Sequence, residues 1–222
     1  MSYQHKWHHG ALVEHKPGKV VCVGRNYAEH ARELGNDIPG EPVLFIKPAT
    51  ALQSFERGVC LRHRDEPYHY ELEIALLIGE KTAHLASDSN LSAVIGMGLG
   101  LDLTLRATQA KLKAAGHPWE RAKAFDGSCP MTPFVPIEEL NGDWMQVFSL
   151  AINGELRQYG NPHDMLFGYA ELLREIQKNF TLLPGDVVLT GTPKGVGEID
   201  NGDNLILRLG KHMSYASNVI IE

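Results

Sequence analysis

Two glutamates separated by one residue stand in an otherwise apolar segment, residues 70–78 (YELEIALLI). Strand side chains alternate between faces, so the carboxylates of Glu71 and Glu73 project from the same face with their Cα atoms roughly 6–7 Å apart. Burying two ionised carboxylates side by side is costly unless a cation or a base neutralises them. The pair therefore predicts a bound cation.

A third carboxylate, Asp102, ends the glycine-punctuated apolar segment 94–101. Carboxylate oxygens select hard cations, so this set predicts Mg²⁺ or Mn²⁺, and Ca²⁺ can take the same ligands. The alternative is that Glu71 and Glu73 lie on the solvent face of an amphipathic strand. The run at 75–78 is typical of a strand buried on both faces, which favours the interior metal site.

A histidine and a glutamate lie three residues apart in the segment 24–33 (GRNYAEHARE). On a helix, His30 and Glu33 would share one face within contact distance. The carboxylate would orient the imidazole, and an imidazole that titrates near neutrality can take a proton from water. An exposed ion pair with no catalytic role is the alternative.

Composition excludes several classes of protein. The chain has 222 residues, 43% of them hydrophobic, and a formal net charge of −6 with no basic stripe, which argues against nucleic-acid binding. Cys22, Cys60 and Cys129 form no CxxC spacing, so neither a disulfide framework nor a zinc ribbon is indicated. No long uncharged apolar run occurs. We expect a cytoplasmic protein that does not enter a membrane, with an N-terminal arm at 1–15 and one catalytic domain at 16–222.

The elements that must position these residues are mostly short strands. Alternating or continuous apolar runs predict strands at 19–23, 43–46, 70–78, 94–101, 148–152 and 187–190. Helical periodicity predicts helices at 27–34, 104–115 and 165–179, and a helical stretch that begins at 87. The polar segment 211–219 is irregular, and the three histidines of the arm, His5, His8 and His9, are expected to be exposed. Many strands with few helices favour a mixed α/β, β-rich fold over a doubly wound sheet.

Four blocks then resemble one family when taken in order. They are residues 23–27 (VGRNY) leading to His30 and Glu33, residues 45–48 (FIKP), residues 71–73 (ELE) leading to Asp102, and residues 189–197 (LTGTPKGVG). The chain resembles the fumarylacetoacetate hydrolase family, especially compact members such as acylpyruvate hydrolases and oxaloacetate decarboxylases. This resemblance implies a C-terminal-domain-like fold of rolled sheets with a few short helices, Mg²⁺ or Mn²⁺ on Glu71, Glu73 and Asp102, and a homodimer.

The resemblance also implies roles for individual residues. His30 and Glu33 would be a water-activating dyad, Lys123 would stabilise or protonate an enolate, and Thr192 would contact a substrate carboxylate. Arg25 departs from the small residue common in the family, and it would bind a second carboxylate or form a salt bridge. Lys47 would contact the substrate or be solvated.

The reaction that the resemblance favours is hydrolysis of the C–C bond of acylpyruvate-type 2,4-dioxo acids, giving pyruvate and a carboxylic acid. A divalent cation that chelates the carboxylate and keto oxygen of a small 2-oxo acid would act as a Lewis acid, and the same site could decarboxylate oxaloacetate. One alternative is a decarboxylase, isomerase or hydratase of 2-oxo acids in aromatic-compound catabolism. A more distant one is a non-catalytic metal-binding protein.

Overall fold

Short strands make up most of the regular structure. The computed structural model describes residues 3–35, 37–82 and 90–222. The first eight strands are β1 (Val20–Gly24), β2 (Val43–Lys47), β3 (Leu52–Ser54), β4 (Val59–Leu61), β5 (Tyr68–Tyr70), β6 (Leu72–Ile78), β7 (Val94–Leu101) and β8 (Thr104–Leu105). The other eight are β9 (Cys129–Met131), β10 (Val135–Pro136), β11 (Phe148–Ile152), β12 (Glu155–Gly160), β13 (Val187–Leu189), β14 (Gly197–Ile199), β15 (Asn204–Leu209) and β16 (Met213–Ile221).

Four α-helices accompany these strands in the described part of the chain: α1 (Ala28–Glu33), α2 (Arg106–Ala114), α3 (Glu120–Lys123) and α4 (Tyr169–Gln177). All four are short, which agrees with the β-rich prediction. Helix α4 is amphipathic and buries its apolar residues Leu172, Leu173 and Ile176 against the sheets.

The strands form three sheets. The largest has the order β2-β1-β13-β6-β7-β9-β3, with β10 attached to β7. The second has the order β12-β11-β15-β16-β4, and the third consists of β14, β5 and β8. Strand β6 is buried along its whole length, and Ile74, Leu76 and Leu99 lie fully inside. The core therefore contains the strand that carries the acidic pair.

Several elements differ from their sequence-based boundaries. The strand predicted at 70–78 is broken at Glu71, where the chain leaves the third sheet and enters the first. The helix predicted at 104–115 begins at Arg106, because residues 104–105 pair with β5. The helix predicted at 165–179 is limited to 169–177. Segment 211–219 is mostly the regular strand β16, held by antiparallel pairing with β15. The helical start at residue 87 lies outside the described residues.

The N-terminal arm packs against the rest of the protein at some of its residues and is exposed at others. His5 has no solvent exposure, and its Nε2 lies 3.0 Å from the carbonyl oxygen of Gly185. Burial lowers the pKa of His5 to about 4, so this imidazole is neutral at pH 7. Trp7 pairs with Phe134 in an isolated bridge. The expectation of an exposed arm was wrong for His5, although His9 is exposed as predicted.

Within the described ranges, no helix has the length and apolar character needed to cross a membrane.

Candidate metal centre and active site

Three buried carboxylates meet in one place. Oxygen atoms of Glu71, Glu73 and Asp102 all lie within 4.8 Å of one another. Their residues are 5%, 1% and 1% exposed, so the solvent-face alternative does not hold. The sequence-predicted metal ligands are thus brought together inside the protein.

Strand pairing explains why these residues converge. In the antiparallel ladder of β6 and β7, Leu72 lies opposite Leu101, so the preceding Glu71 and the following Asp102 are also neighbours. The amide of Asp102 donates to the carbonyl oxygen of Glu71 at 2.8 Å. Glu73 lies on the same strand face as Glu71, and its Oε2 accepts a hydrogen bond of 2.6 Å from the Gly191 amide.

Basic side chains compensate the carboxylates within the protein itself. The Lys123 ammonium donates to Glu71 Oε2 at 2.7 Å, to Asp102 Oδ2 at 2.6 Å and to Thr104 Oγ1 at 2.7 Å, which uses all three of its protons. The Arg106 guanidinium bonds Glu71 Oε1. The sequence-based prediction named a bound cation as the compensation and did not include these basic side chains.

The charges of the cluster depend on these contacts. Burial raises the pKa of Glu71, but the nearby Lys123 and Arg106 outweigh it and hold the pKa well below its usual range. Burial, together with the charges of Asp102 and Glu71, raises the pKa of Glu73 well above its usual range. Burial would lower the pKa of Lys123, but Asp102 and Glu71 outweigh this effect and raise it. Lys123 therefore remains an ammonium ion at neutral pH.

The donor set fits a hard divalent cation. Asp102 Oδ1 is buried and, among the described residues, accepts no hydrogen bond, although Lys47 Nζ lies 2.8 Å away. An oxygen with free lone pairs next to two more carboxylates is the arrangement that Mg²⁺ and Mn²⁺ prefer. Glu71, Glu73 and Asp102 would hold the ion.

The predicted dyad stands on α1. His30 is 5% exposed, and its Nδ1 lies 3.4 Å from Glu33 Oε2. Burial lowers the pKa of His30, although the Glu71 carboxylate and the Glu33 contact oppose this effect. The imidazole is therefore neutral at pH 7 and able to accept a proton. With Nδ1 facing Glu33, Nε2 is the nitrogen left for a substrate.

Glu33 also fastens α1 to the loop that follows β13. Its Oε1 and Oε2 accept hydrogen bonds from the Gly195 amide at 3.0 and 3.2 Å. At the other end of α1, fully buried Asn26 donates from Nδ2 to the Thr190 carbonyl at 2.8 Å and accepts at Oδ1 from the Phe167 amide at 2.8 Å. Both ends of the segment that carries His30 are thus anchored.

Replacing Gly195 by alanine is expected to disturb this anchor. Gly195 has φ +94°, and a Cβ there would overlap the carbonyl oxygen of Arg157. We expect the free energy of unfolding to fall by about 2 kcal/mol or more, from backbone strain plus the overlap. Turnover should fall as well, because relieving the overlap with Arg157 shifts the loop whose Gly195 amide binds Glu33. Chemical denaturation and steady-state kinetics measure the two effects.

Gly202→Ala is the matched control. Gly202 has φ +90°, but a Cβ there would meet nothing within 4 Å. We expect the free energy of unfolding to fall by only about 1 kcal/mol, from backbone strain at the positive φ, and turnover to be unchanged. Equal effects of the two substitutions on activity would contradict the anchoring role of Gly195.

One cavity connects the cluster and the helix. Its empty volume is about 430 Å³, including the open solvent at its mouth. Six of the predicted site residues line it: Arg25, His30, Glu71, Glu73, Lys123 and Thr192. Arg25 has φ 59°, the left-handed region in which a non-glycine residue is held at an energetic cost, often at functional sites.

A family model provides the decisive comparison. The model described as fumarylacetoacetate (FAA) hydrolase C-terminal matches residues 19–219. The chain belongs to the fumarylacetoacetate hydrolase family. The fold is that of the family, with curled sheets and few short helices, as the sequence blocks predicted.

Relatives of this fumarylacetoacetate hydrolase family member are enzymes. It is 46% identical over 211 residues to the oxaloacetate tautomerase YcgM of Escherichia coli (strain K12), covering 95% of this chain and 96% of that protein. It is 39% identical over 186 residues to a mitochondrial oxaloacetate tautomerase of Homo sapiens, covering 84% of each. A crystal structure of fumarylpyruvate hydrolase from Pseudomonas aeruginosa in complex with Mn²⁺ and pyruvate superposes with TM-score 0.90 at 32% identity, covering 100% of this chain and 97% of the other.

Several residues of the family member's cavity were missed by sequence reasoning. Arg106 and Gln109 line the cavity, and Arg106 donates to Gln109 Oε1 at 2.8 Å. Arg106 is the first residue of α2, where a cation opposes the helix dipole, and this unfavourable position was a usable signal. Phe45 and Trp119, with ring centroids 5.9 Å apart, form an apolar wall that no local pattern indicated.

Lys47 lies behind the cavity rather than in it. It is fully buried, and its Nζ contacts Asp102 Oδ1 at 2.8 Å and Ser128 Oγ at 3.0 Å. It does not line the cavity with the other site residues. The alternative of a solvated lysine was wrong, because β2 directs the side chain into the core. Lys47 instead holds Asp102.

Lys47→Met is expected to lower the free energy of unfolding by about 2–3 kcal/mol, because it removes one of the two lysines that neutralise the buried Asp102 carboxylate and leaves only Lys123. The comparison is Lys178→Met, which removes a pair whose lysine is 65% exposed and should cost less than about 1 kcal/mol. Urea denaturation measures both. If Lys47→Met proved as mild as Lys178→Met, Lys47 would not be the partner that stabilises Asp102.

Proposed function

We propose that this protein is a divalent-metal-dependent enzyme that interconverts the keto and enol forms of oxaloacetate or a closely related small 2-oxo dicarboxylic acid. The observation that carries the proposal is the buried cluster of Glu71, Glu73 and Asp102, of which Glu71 and Glu73 line one cavity together with the neutral imidazole of His30. The relatives named oxaloacetate tautomerase support isomerisation, which sequence reasoning kept as an alternative to hydrolysis.

A bound Mg²⁺ or Mn²⁺ would supply a Lewis acid for the 1-carboxylate and 2-oxo oxygen of the substrate. The charge of the cavity suits a second carboxylate. Arg25, Arg106 and Lys113 all line the cavity. Burial lowers the pKa of Lys113, and the positive charges of Arg25 and Arg106 lower it further. Several cations this close together favour a dianionic ligand over a neutral or singly charged one.

Proton transfer falls to His30. Its Nε2 takes a proton from C3 as the C3–H bond breaks, while Glu33 holds Nδ1. The electron pair moves to the oxygen at C2, where the Lys123 ammonium opposes the developing negative charge. Returning the proton to that oxygen completes the conversion of keto to enol, and the reverse sequence gives the keto form.

Hydrolysis of acylpyruvates is the second candidate, and the His30–Glu33 contact favours it. In that reaction His30 Nε2 takes a proton from water, whose oxygen attacks the distal acyl carbonyl. The C–C bond breaks, its electron pair forms the enolate of pyruvate, and the proton returns to C3. The products are pyruvate and a carboxylic acid, and Thr192 and Arg25 would hold the carboxylates.

A substrate screen with and without Mg²⁺ or Mn²⁺ separates the two reactions. Loss of the enol absorbance of oxaloacetate reports tautomerisation, and coupled pyruvate detection with acetylpyruvate or oxaloacetate reports hydrolysis or decarboxylation. We expect metal-dependent tautomerisation to be the fastest. The proposed function would be refuted if the protein, with either metal, converted every substrate no faster than buffer containing the same metal.

Two expectations about the setting of the enzyme complete the proposal. A homodimer is expected from the family resemblance, and a cytoplasmic location from composition. Sedimentation and cell fractionation test them, and neither affects the chemistry of the cavity.

A further inference from the structure

A glutamine outside the predicted site connects two parts of the cavity wall. Gln158 lies on β12 and has no solvent exposure. Its Oε1 accepts a hydrogen bond of 2.8 Å from the Leu72 amide, between the two glutamates of the cluster. Its Nε2 donates to Thr192 Oγ1 and to the Pro193 carbonyl, both at 2.9 Å.

A strand irregularity turns this side chain inward. The pairing of β11 and β12 shifts between Leu150 and Ala151, so Leu150 faces Gln158 and Ala151 faces Leu156, with Arg157 left over. Such a bulge redirects the neighbouring side chains. Gln158 is buried where the residues on either side of it are exposed, and no alternation in the sequence predicts this.

The orientation of the amide is fixed by its backbone partners. A backbone N–H can only donate, so the atom that faces Leu72 must be the amide oxygen. A backbone carbonyl can only accept, so the atom that faces Pro193 must be the amide nitrogen. The atom that faces Thr192 is therefore a donor, whichever way the side chain is refined.

This donor determines what the Thr192 hydroxyl can do. Thr192 is 3% exposed and lines the cavity. Its oxygen accepts from Gln158, and no acceptor for its proton is found among residues 3–35, 37–82 and 90–222. A hydroxyl proton prefers a partner when it is buried, and the cavity is where one can be placed.

We propose that Gln158 is a positioning residue that holds the Thr192 hydroxyl as a hydrogen-bond donor to an anionic oxygen of the substrate. The side chain also holds Leu72, so it keeps this donor at a constant distance from the strand with Glu71 and Glu73. The inference rests on the proposed function in that the ligand is a small carboxylic acid bound beside the metal.

Gln158→Glu reverses the polarity of the contact with Thr192, and the Thr192→Val background described below separates this reversal from the effect of the added negative charge. The two side chains have nearly the same shape, and a carboxylate still accepts from the Leu72 amide. It cannot donate to Thr192, however, so the hydroxyl would turn its proton toward the glutamate. We expect the Kd of oxalate, a planar dianion similar to an enolised 2-oxo acid, to rise about 10- to 100-fold in the presence of Mn²⁺, the value of one charge-assisted hydrogen bond. Isothermal titration calorimetry measures it without turnover.

Thr192→Val provides the matching background. Thr192→Val should weaken oxalate binding by a similar factor. In the Thr192→Val protein, Gln158→Glu should raise the Kd of oxalate by less than about a further threefold, because the effects of coupled positions are not additive. For oxaloacetate, KM should rise more than kcat falls. Thr192→Ser, which keeps the hydroxyl, should bind oxalate within about threefold of wild type, so the test holds even if Gln158→Glu does not fold.

Gln53→Glu controls for placing a carboxylate against backbone carbonyls. Gln53 accepts from the Cys60 amide at 2.9 Å and donates to the Gly127 carbonyl at 2.7 Å, away from the cavity. Gln53→Glu should leave the Kd of oxalate unchanged.

The inference is overturned if the wild-type protein does not bind oxalate, or if Gln158→Glu or Thr192→Val binds oxalate like wild type. It is also overturned if the effects of the two substitutions on the Kd add fully. Oxalate binding without turnover of any substrate would refute the proposed function instead.

Discussion

Replacing Glu73 by glutamine is expected to weaken binding of Mg²⁺ or Mn²⁺ by more than about 100-fold, since even groups that only orient a metal ligand are typically worth about 10- to 100-fold. Metal-dependent turnover should fall by at least about 1,000-fold, because a Lewis acid contributes several kcal/mol to a developing enolate charge. Calorimetric titration with Mn²⁺ and initial rates with oxaloacetate measure the two quantities.

The substitution should not harm the metal-free protein. Glutamine keeps an oxygen for the Gly191 amide, and the substitution removes a buried carboxylate whose pKa is raised by burial and by its acidic neighbours. We expect the melting temperature without metal to stay equal or rise, while the increase on adding Mn²⁺ disappears. Glu155→Gln, at a glutamate whose side chain is 70% exposed, is the control. A Glu73→Gln protein that binds Mn²⁺ like wild type would exclude the proposed metal centre.

Replacing His30 by glutamine is expected to have the second-largest effect. Acylpyruvate hydrolysis and oxaloacetate tautomerisation should each fall by about 100- to 10,000-fold, the usual contribution of a general base. Decarboxylation of oxaloacetate should be affected far less, because loss of CO₂ requires no proton acceptor. Mn²⁺ affinity should remain within about threefold, since His30 is not among the three clustered metal ligands.

Glu29→Gln is the matched control on the same helix. The Glu29 side chain is 65% exposed and pairs with Lys194 at 3.0 Å, so its loss should leave turnover unchanged. Equal loss of all three reactions in His30→Gln, with Mn²⁺ binding also lost, would indicate that the substitution damages the site as a whole. Intact tautomerisation and hydrolysis would show that another group is the base.

The location of the acidic cluster could be read from the sequence because its signal is local. A pair of glutamates at positions i and i+2 of an apolar run is costly wherever it is buried. The segment 70–78 therefore indicates a compensated acidic site even when the compensating residues are unknown. Asp102 could be added because it ends the next apolar segment. The four family blocks then indicated the fold, and their spacing placed His30 and Glu33 on the helix near the cluster.

The sequence alone did not indicate what compensates these carboxylates. Lys123 is 52 residues from Glu71 and 21 from Asp102, and Arg106 is 35 from Glu71. Lys47 was predicted to contact the substrate or to be solvated, yet it is buried against Asp102. Partners this far apart are chosen by sheet register and by the direction of β2, which depend on the whole fold.

Local residue patterns thus determined three points about this protein: the acidic residues that cluster, the histidine with its carboxylate, and the family to which the chain belongs. Tertiary structure alone decided the charge balance of the cluster, the burial of His5 and Lys47, and the inward turn of Gln158. The physical reason is the distance along the sequence between the residues that interact. Alternation and helical spacing report on neighbours within one element, whereas ion pairs and buried amides depend on which elements the core packs together.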